Sequence, residues 1–395
     1  MSGLAPNARS DLIQESATLA ISAEASRLKA AGHDVVSLSA GEPDFPVPAP
    51  IARAGIEAIE QHDYRYTATS GVPALREAGA AWLREGFGLD YLPSEVMVTA
   101  GAKGGLNMAL ATVVEPGDRV LVLAPYWVSY PALVTMAGGV PVIVDAVPER
   151  GFVHDAATLE QLATEHGARG VIFNSPNNPS GAVATKPDVE ALVEMCARRD
   201  MWIISDEIYA TLLYDGAAHT SPASLPDGRE RTIVVNGFTK SHTMTGWRTS
   251  FMAGPEAIVK AAGRIQSQLL GNPCTISQAA MLKACLHPVP EDQQSRMAAF
   301  AERRAFLLQK VNAIPGMSLA PPMGAFYAMI DVRPYCERLG VDDFTVCKQL
   351  LEEQRLALVP GSAFAAPGFV RASYAASMDV LEKAVARLQA WTADA

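Results

Sequence analysis

Between about residue 50 and residue 290, short apolar runs alternate with stretches of helical periodicity, and this alternation restricts the possible folds more than any other feature. The runs are "EVMVTAG", "DRVLVLAP", "VPVIVDA", "ARGVIFNSP", "MWIISDEIY", "RTIVVNGF" and "RTSFMAG". Segments such as "KGGLNMALATVV" and "KPDVEALVEMCARRD" lie between them and carry helical patterns. Strands that are apolar on both sides must be covered on both sides, and the intervening helices supply that cover. The pattern predicts an α/β fold whose large domain has a mostly parallel seven-stranded sheet covered by helices. In such a sheet ligands bind beyond the carboxyl ends of the strands, so the polar residues that close each run are the ones to weigh.

After about residue 290 the rhythm changes. A long helix over "EDQQSRMAAFAERRAFLLQKVNAI" is followed by strand-like "GAFYAMIDV", a helix around "DDFTVCKQLLEEQ", strand-like "LALVPGSAF" and "FVRASYA", and a terminal helix. Near the other end, "TLAISAEASRLKAAG" reads as a helix stopped at Gly32, and "DVVSLSAGEPDFPVPAP" as a short strand and a turn-rich link. We therefore expect an N-terminal arm over residues 1–17, a smaller discontinuous α+β domain over 18–45 and 291–395, and the large domain over 46–290. A chain of 395 residues has room for both.

The formal net charge of -10 argues against a nucleic-acid partner or an anionic membrane surface, although local cations in a cleft still suit a small anion. Five scattered cysteines, none in a C-x-x-C pair, point to neither a disulfide framework nor a zinc site. The first residues lack a hydrophobic signal core, and no run reaches about 18 apolar residues, which leads us to expect a soluble cytoplasmic protein with no metal.

The strand ends carry the chemistry. "MWIISDEIY" closes on Asp206, Glu207 and Tyr209; a carboxylate after such a mostly apolar run either stays solvated or must meet a cation. The loop between "RTIVVNGF" and "RTSFMAG" holds Lys240 and Arg248, which alone would read as surface cations. "FNSPNNPSG" closes on Asn174, Asn178 and Gly181, a turn composition whose Asn178 amide also suits a ligand oxygen. "TAGAKGGLNMAL" follows a strand and opens a helix, so its backbone N–H groups favour a phosphate, although it is neither a G-x-G-x-x-G nor a Walker sequence.

"AGEPDF", "YTATSG", "PYWVSYP", "NSPNNPSG", "SDEIY", "TKSHTMTGWR" and "VRASYA" occur in that order across nearly the whole chain. Together they resemble the class I, fold-type I pyridoxal-phosphate aminotransferases, and within them the bacterial aspartate aminotransferase subgroup. The resemblance implies pyridoxal 5'-phosphate as cofactor, amino acids and 2-oxo acids as substrates, and a homodimer with shared active sites. Lys240 matches the family lysine that forms the Schiff base, and Arg248 the arginine on the cofactor phosphate. Asp206 would pair with the ring nitrogen, Asn178 and Tyr209 would bond the phenolic oxygen, and Trp127 would stack on the ring. Gly101, Ala102 and Lys103 match the phosphate cup, joined by Thr239 and by Tyr66 from a second subunit. Arg371 would hold the substrate α-carboxylate, a task suited to a guanidinium fork. Gly41 would let the backbone approach the substrate.

One departure stands out. Many family members carry Ser-Gly-Thr in the phosphate cup and a serine-rich turn before the lysine; here these read Gly-Ala-Lys and Gly-Phe-Thr. Lys103 resembles a subgroup lysine assigned to the side-chain carboxylate of acidic substrates, helped by Ser16 and Thr18. The implied reaction moves the amino group of L-aspartate to 2-oxoglutarate in a ping-pong sequence. Aromatic, prephenate or other amino acids on the same scaffold are the alternative. A non-catalytic cofactor-binding regulator is the remote one, set back by the presence of Lys240 and the lack of a basic helix-turn-helix extension. His242, beside Lys240, reads as loop packing rather than as a catalytic group.

Overall fold

The computed structural model describes residues 8–13 and 15–394; residues 1–7 and 14 of the expected N-terminal arm lie outside the described residues. The apolar runs form the strands of one sheet. After β1 (Val36–Ser37), these are β2 (Val96–Thr99), β3 (Arg119–Leu123), β4 (Val140–Val144), β5 (Ala168–Asn174), β6 (Trp202–Asp206), β7 (Thr232–Asn236) and β8 (Ser250–Ala253). The seven strands β2 to β8 lie in the order β2-β8-β7-β6-β5-β3-β4. Neighbours from β4 across to β7 pair in parallel. β8 runs antiparallel to both β7 and β2.

The exception has a local cause. Parallel neighbours need a long crossover, usually helical, whereas the loop from β7 to β8 contains no helix and simply turns the chain back. That loop is the one that carries Lys240 and Arg248. Elsewhere helices complete the crossovers and cover the sheet. Helices Gly101–Val113 and Glu256–Leu269 pack together over Met97, Val120, Ile204 and Val235. Helices Ala156–His166 and Lys186–Arg198 bury Leu159, Leu192 and Val193 against Val171 and Ile203 on the other face. Helix Lys186–Arg198 starts where its sequence says it should: Thr185 and Asp188 form a capping box.

A second core gathers residues from before Gly41 and after Pro290. It joins Val36 and Leu38 to Phe300, Phe326, Leu350 and Trp391, and Ile208 and Tyr209 reach into it from the end of β6. Its strands are β9 (Ser318–Leu319), β10 (Tyr327–Asp331), β11 (Leu356–Ala357), β12 (Val359–Pro360) and β13 (Phe369–Ser373). Four of them form an antiparallel sheet, β12-β13-β10-β9, while β11 pairs in parallel with β1. The single strand expected over "LALVPGSAF" is thus two. The chain changes sheets at Leu358, whose side chain is buried between them. Likewise the run "MWIISDEIY" is strand only as far as Asp206. Among the described residues no helix is long and apolar enough to cross a membrane.

Candidate active site

The carboxyl ends of β2, β5, β6 and β7 converge on a cavity of about 310 Å3. β6 stops at Asp206 because that side chain turns on its own backbone: Oδ1 accepts from the Ile208 N–H at 3.2 Å. Oδ2 accepts from the Tyr130 hydroxyl at 2.8 Å. Asp206 is 5% exposed, and burial lifts its carboxyl to about 6, with Tyr130 and the Ile208 N–H pulling the other way. Neither partner is a cation, so the carboxylate is held in place but not neutralised.

Asn174 closes β5 and organises the turn after it. Its amide donates to the carbonyl oxygens of Pro176 and Asp206, and its Oδ1 accepts from the Asn178 N–H. This places Asn178 on the cavity wall beside Tyr209. From β7, the loop brings Thr239 and Lys240 in. Thr239 is anchored across the loop to Ser250 Oγ at 3.2 Å. The half-buried Lys240 donates from Nζ to the carbonyl oxygen of Gly41 at 2.7 Å. The surrounding walls lower its amine to about 8; the carboxylates of Glu42 and Asp206 oppose that shift, and the charges of Arg248 and Arg371 add to it.

Helix Gly101–Val113 follows β2 and has no side-chain cap at its start, so its first N–H groups are left for another partner. Gly101 adopts φ +75°, and a Cβ built there would stand 2.7 Å from Arg248 Nη2. Glycine at 101 therefore satisfies both the left-handed backbone and the approach of the guanidinium. Ala102 and Lys103 line the same wall, with Lys103 Nζ 4.9 Å from the Trp127 ring centroid. Burial, and then the charge of Arg248, push the Lys103 amine down. Arg248 itself donates to the Thr245 carbonyl oxygen at 3.0 Å.

Arg371 enters from β13 and is 2% exposed. Nη1 donates to Asn178 Oδ1 at 3.1 Å and Nη2 to the Ser39 carbonyl oxygen at 2.6 Å. Its Nε is buried without a partner, and neither partner of the other nitrogens is a carboxylate. The guanidinium lies between two aromatic rings, 4.7 Å from the Tyr327 centroid and 4.9 Å from that of Phe364. Ser16 and Thr18 line the mouth, and Thr18 Oγ1 is buried without a partner.

Of the cofactor- and substrate-site candidates, all but Gly101 and Tyr66 line this cavity, and Gly101 stands beside it against Arg248. Of the other residues weighed at the strand ends, Glu207 turns away to Ser205, Ser221 and His219, and Gly181 accepts from the backbone of Met323 and Gly324. Tyr66 is 98% exposed and lies away from the cavity of its own chain. Two residues of the site escaped the sequence reading. Tyr130 holds Asp206, and Tyr327 meets the Tyr209 hydroxyl at 2.9 Å. Each had a faint signal, since a phenol in a buried stretch such as "GAFYAMIDV" must find a polar partner. His242 is buried against Phe238 and bonded to Ser241, as loop packing requires. Among the described residues no cluster of ligands suits a metal ion.

The chemistry of this donor set fits pyridoxal 5'-phosphate. An uncapped helix start beside Arg248 and Thr239 suits a phosphate, an un-neutralised buried carboxylate suits a protonated ring nitrogen, and an amine of lowered proton affinity suits an aldehyde.

Comparison with known proteins identifies the family. The family described as "Aminotransferase class I and II" matches residues 33–388. The aspartate aminotransferase of Geobacillus stearothermophilus is 44% identical over 377 residues, covering 94% of this chain and 95% of the relative. The aspartate/prephenate aminotransferase of Thermus thermophilus is 41% identical over 381 residues, covering 96% of each. The solved structure of the Thermus thermophilus aspartate aminotransferase with maleate superposes with a TM-score of 0.92 at 40% identity, covering 99% of this chain and 100% of that one. With a matching profile over most of its length, relatives above 40% identity and their fold, the chain belongs to the class I and II aminotransferase family.

Proposed function

We propose that this aminotransferase uses pyridoxal 5'-phosphate to move the amino group of L-aspartate to 2-oxoglutarate. The observation that carries the reading is the convergence on one cavity of an amine, Lys240, a buried carboxylate, Asp206, and a buried guanidinium without a carboxylate partner, Arg371. Pyridoxal phosphate, when bound, supplies an aldehyde for amine exchange and a ring that withdraws electrons from the substrate Cα. The backbone of Gly101 and Ala102, with Thr239, Arg248 and Tyr66 of the partner subunit, would hold its phosphate. Asp206 would keep a proton on the ring nitrogen, Asn178 and Tyr209 would donate to the phenolic oxygen, and Trp127 would pack on the ring.

Arg371 binds the substrate α-carboxylate as a two-pronged donor and turns the Cα–H toward Lys240. Lys240 Nζ takes the Cα proton and returns it on the other side of the exchange; an amine near 8 is well matched to both tasks at neutral pH. Lys103, with Ser16 and Thr18 at the mouth, receives the second carboxylate of aspartate. We assign the two cores to a large domain over residues 46–290 and a smaller one over 18–45 and 291–395, which closes over the substrate and excludes water. The exposed Tyr66 supports a homodimer in which each subunit completes the other's site. The unpaired cysteines support a cytoplasmic setting.

Prephenate is the second reading, favoured by the Lys103–Trp127 pair, which offers a cation and an aromatic face together. The deciding experiment mixes the pyridoxal phosphate-loaded protein with single amino acids and follows the loss of its visible absorbance. Fast bleaching by aspartate and glutamate, with phenylalanine slow, is the expected result. Fast bleaching chiefly by aromatic or small neutral amino acids overturns the aspartate assignment.

A further inference from the structure

We propose that Tyr327 is a positioning residue that links the two ends of the site: its ring face supports Arg371 and its hydroxyl sets how strongly Tyr209 donates. The inference rests on the functional reading above, in which Arg371 holds a carboxylate and Tyr209 donates to the phenolic oxygen.

The strand register puts Tyr327 where both contacts are possible. In the antiparallel pair β10–β13, Tyr327 faces Ser373 and Met329 faces Arg371, so Tyr327 and Arg371 are diagonal neighbours on one face. An aromatic side chain spans that diagonal, and the ring centroid lies 4.7 Å from the guanidinium carbon. Arg371 is buried with no carboxylate among its partners, so the electron-rich faces of Tyr327 and Phe364 stabilise its charge until a substrate arrives.

The hydroxyl works at the other end. Tyr209 and Tyr327 hydroxyls are 2.9 Å apart and buried. Each carries one proton. If Tyr209 spends its proton on the phenolic oxygen, the bond between the two phenols is donated by Tyr327. A hydroxyl that accepts a hydrogen bond becomes a better donor itself, so Tyr327 strengthens the donation of Tyr209. The place of the Tyr327 hydroxyl is closely defined. A Cβ built on Gly41 would stand 2.2 Å from that oxygen but 3.3 Å from the ring carbon bearing it. Glycine at 41 thus leaves room for the hydroxyl, and the carbonyl oxygen of the same residue holds Lys240 Nζ.

The test separates the two contributions. Tyr327→Phe keeps the ring and removes the hydroxyl; Tyr327→Leu removes both. The pH titration of the visible absorbance of the pyridoxal phosphate-loaded protein reports the proton held at Lys240 Nζ beside the phenolic oxygen. Weaker donation by Tyr209 leaves more negative charge on that oxygen, so the proton is held to higher pH. Tyr327→Phe is expected to raise the titration midpoint by about half a pH unit and to leave the KM for aspartate within about twofold. Tyr327→Leu is expected to raise the midpoint similarly and the KM by about tenfold. Gly41→Ala displaces the hydroxyl and is expected to raise the midpoint too, but to add nothing in the Tyr327→Phe background, because the clashing oxygen is gone. An unmoved midpoint in Tyr327→Phe overturns the proposal alone. Equal KM increases in the Phe and Leu variants overturn the role of the ring face. A wild-type protein that shows no absorbance band with pyridoxal phosphate overturns the functional reading, and this inference with it.

Discussion

Lys240 has an amine lowered to about 8 against an ordinary 10.5, and half of its molecules are therefore neutral near pH 8 rather than very few. Only the neutral amine attacks an aldehyde, so the rate at which the cofactor-free protein combines with pyridoxal phosphate is expected to rise with pH and level off above about 8. A rate that keeps rising beyond pH 10 contradicts this. Asp206 is perturbed in the opposite sense. Its carboxyl is near 6 in the fold against an ordinary 3.8, so the folded state binds the proton more tightly and stability falls as pH rises through that window. Two units correspond to about 3 kcal/mol, and losing one of its two accepted hydrogen bonds returns about 1. Asp206→Asn is therefore expected to stabilise the cofactor-free protein at pH 8, by a few degrees in a thermal melt, while lowering transamination by orders of magnitude; a destabilised variant at that pH argues against the burial account. At this scale the sequence exposed what lies within one run. Asp206 ends β6 and Arg371 lies within β13, where a charged group is out of place, whereas Lys240 and Asn178 stand in polar turns beyond their strands and were legible only through the motifs that contain them. Tyr130 and Tyr327 were hidden because their partners are 76 and 118 positions away, a relation that only the folded chain creates.

Helix Pro290–Val311 shows what the elements add. Its Arg296 donates to Thr243 in the lysine loop and to the carbonyl oxygen of Pro46, and pairs with Asp292 on its own helix. About two turns further on, Arg303 holds Asp44 with two bonds, at 2.7 and 2.9 Å. Phe45 sits between the two guanidinium groups. The helix thereby ties the segment that carries Gly41 to the loop that carries Lys240. Arg296→Ala is expected to lower kcat about tenfold and stability by roughly 2 kcal/mol, because acceptors in both segments lose a shared, buried donor. Parallel measurement of kcat and thermal unfolding checks this, and an unchanged kcat would show that the two segments are held by other means. The strands of the large sheet and helices such as Gly101–Val113, Lys186–Arg198 and Pro290–Val311 were legible from periodicity, whereas the two-residue β9 and the short helix Arg333–Leu339 were not read. The exact extents were not legible either: the first five residues of "LALVPGSAF" are all apolar, and nothing local says that Leu356–Ala357 and Val359–Pro360 belong to different sheets or that a helical turn follows.

For the whole molecule, the α/β class and the mostly parallel sheet followed from the alternation alone, whereas the antiparallel β8 did not, since direction depends on the length and content of a connection. The homodimer proposal has a quantitative test at this scale. A Tyr66→Ala subunit keeps its own Lys240, and a Lys240→Ala subunit keeps its own Tyr66. Subunits exchanged at random give mixed dimers for half of the population, each with one intact site, so about a quarter of wild-type activity is expected from two nearly inactive parents. Failure to recover activity after verified exchange would place Tyr66 outside the shared site.

The loop from Gly237 to Thr249 is bounded by strands that are themselves spoken for: β7 is registered against β6, and β8 against both β7 and β2. An inserted residue cannot be absorbed by sliding β8, because a one-residue slip would turn Phe251 and Met252 out of their cores into the opposite faces. Changes in length must be taken up among the residues around Lys240. The loop is therefore a fixed-length tether whose ends are set by the sheet, so a residue added or removed anywhere within it is felt at Lys240.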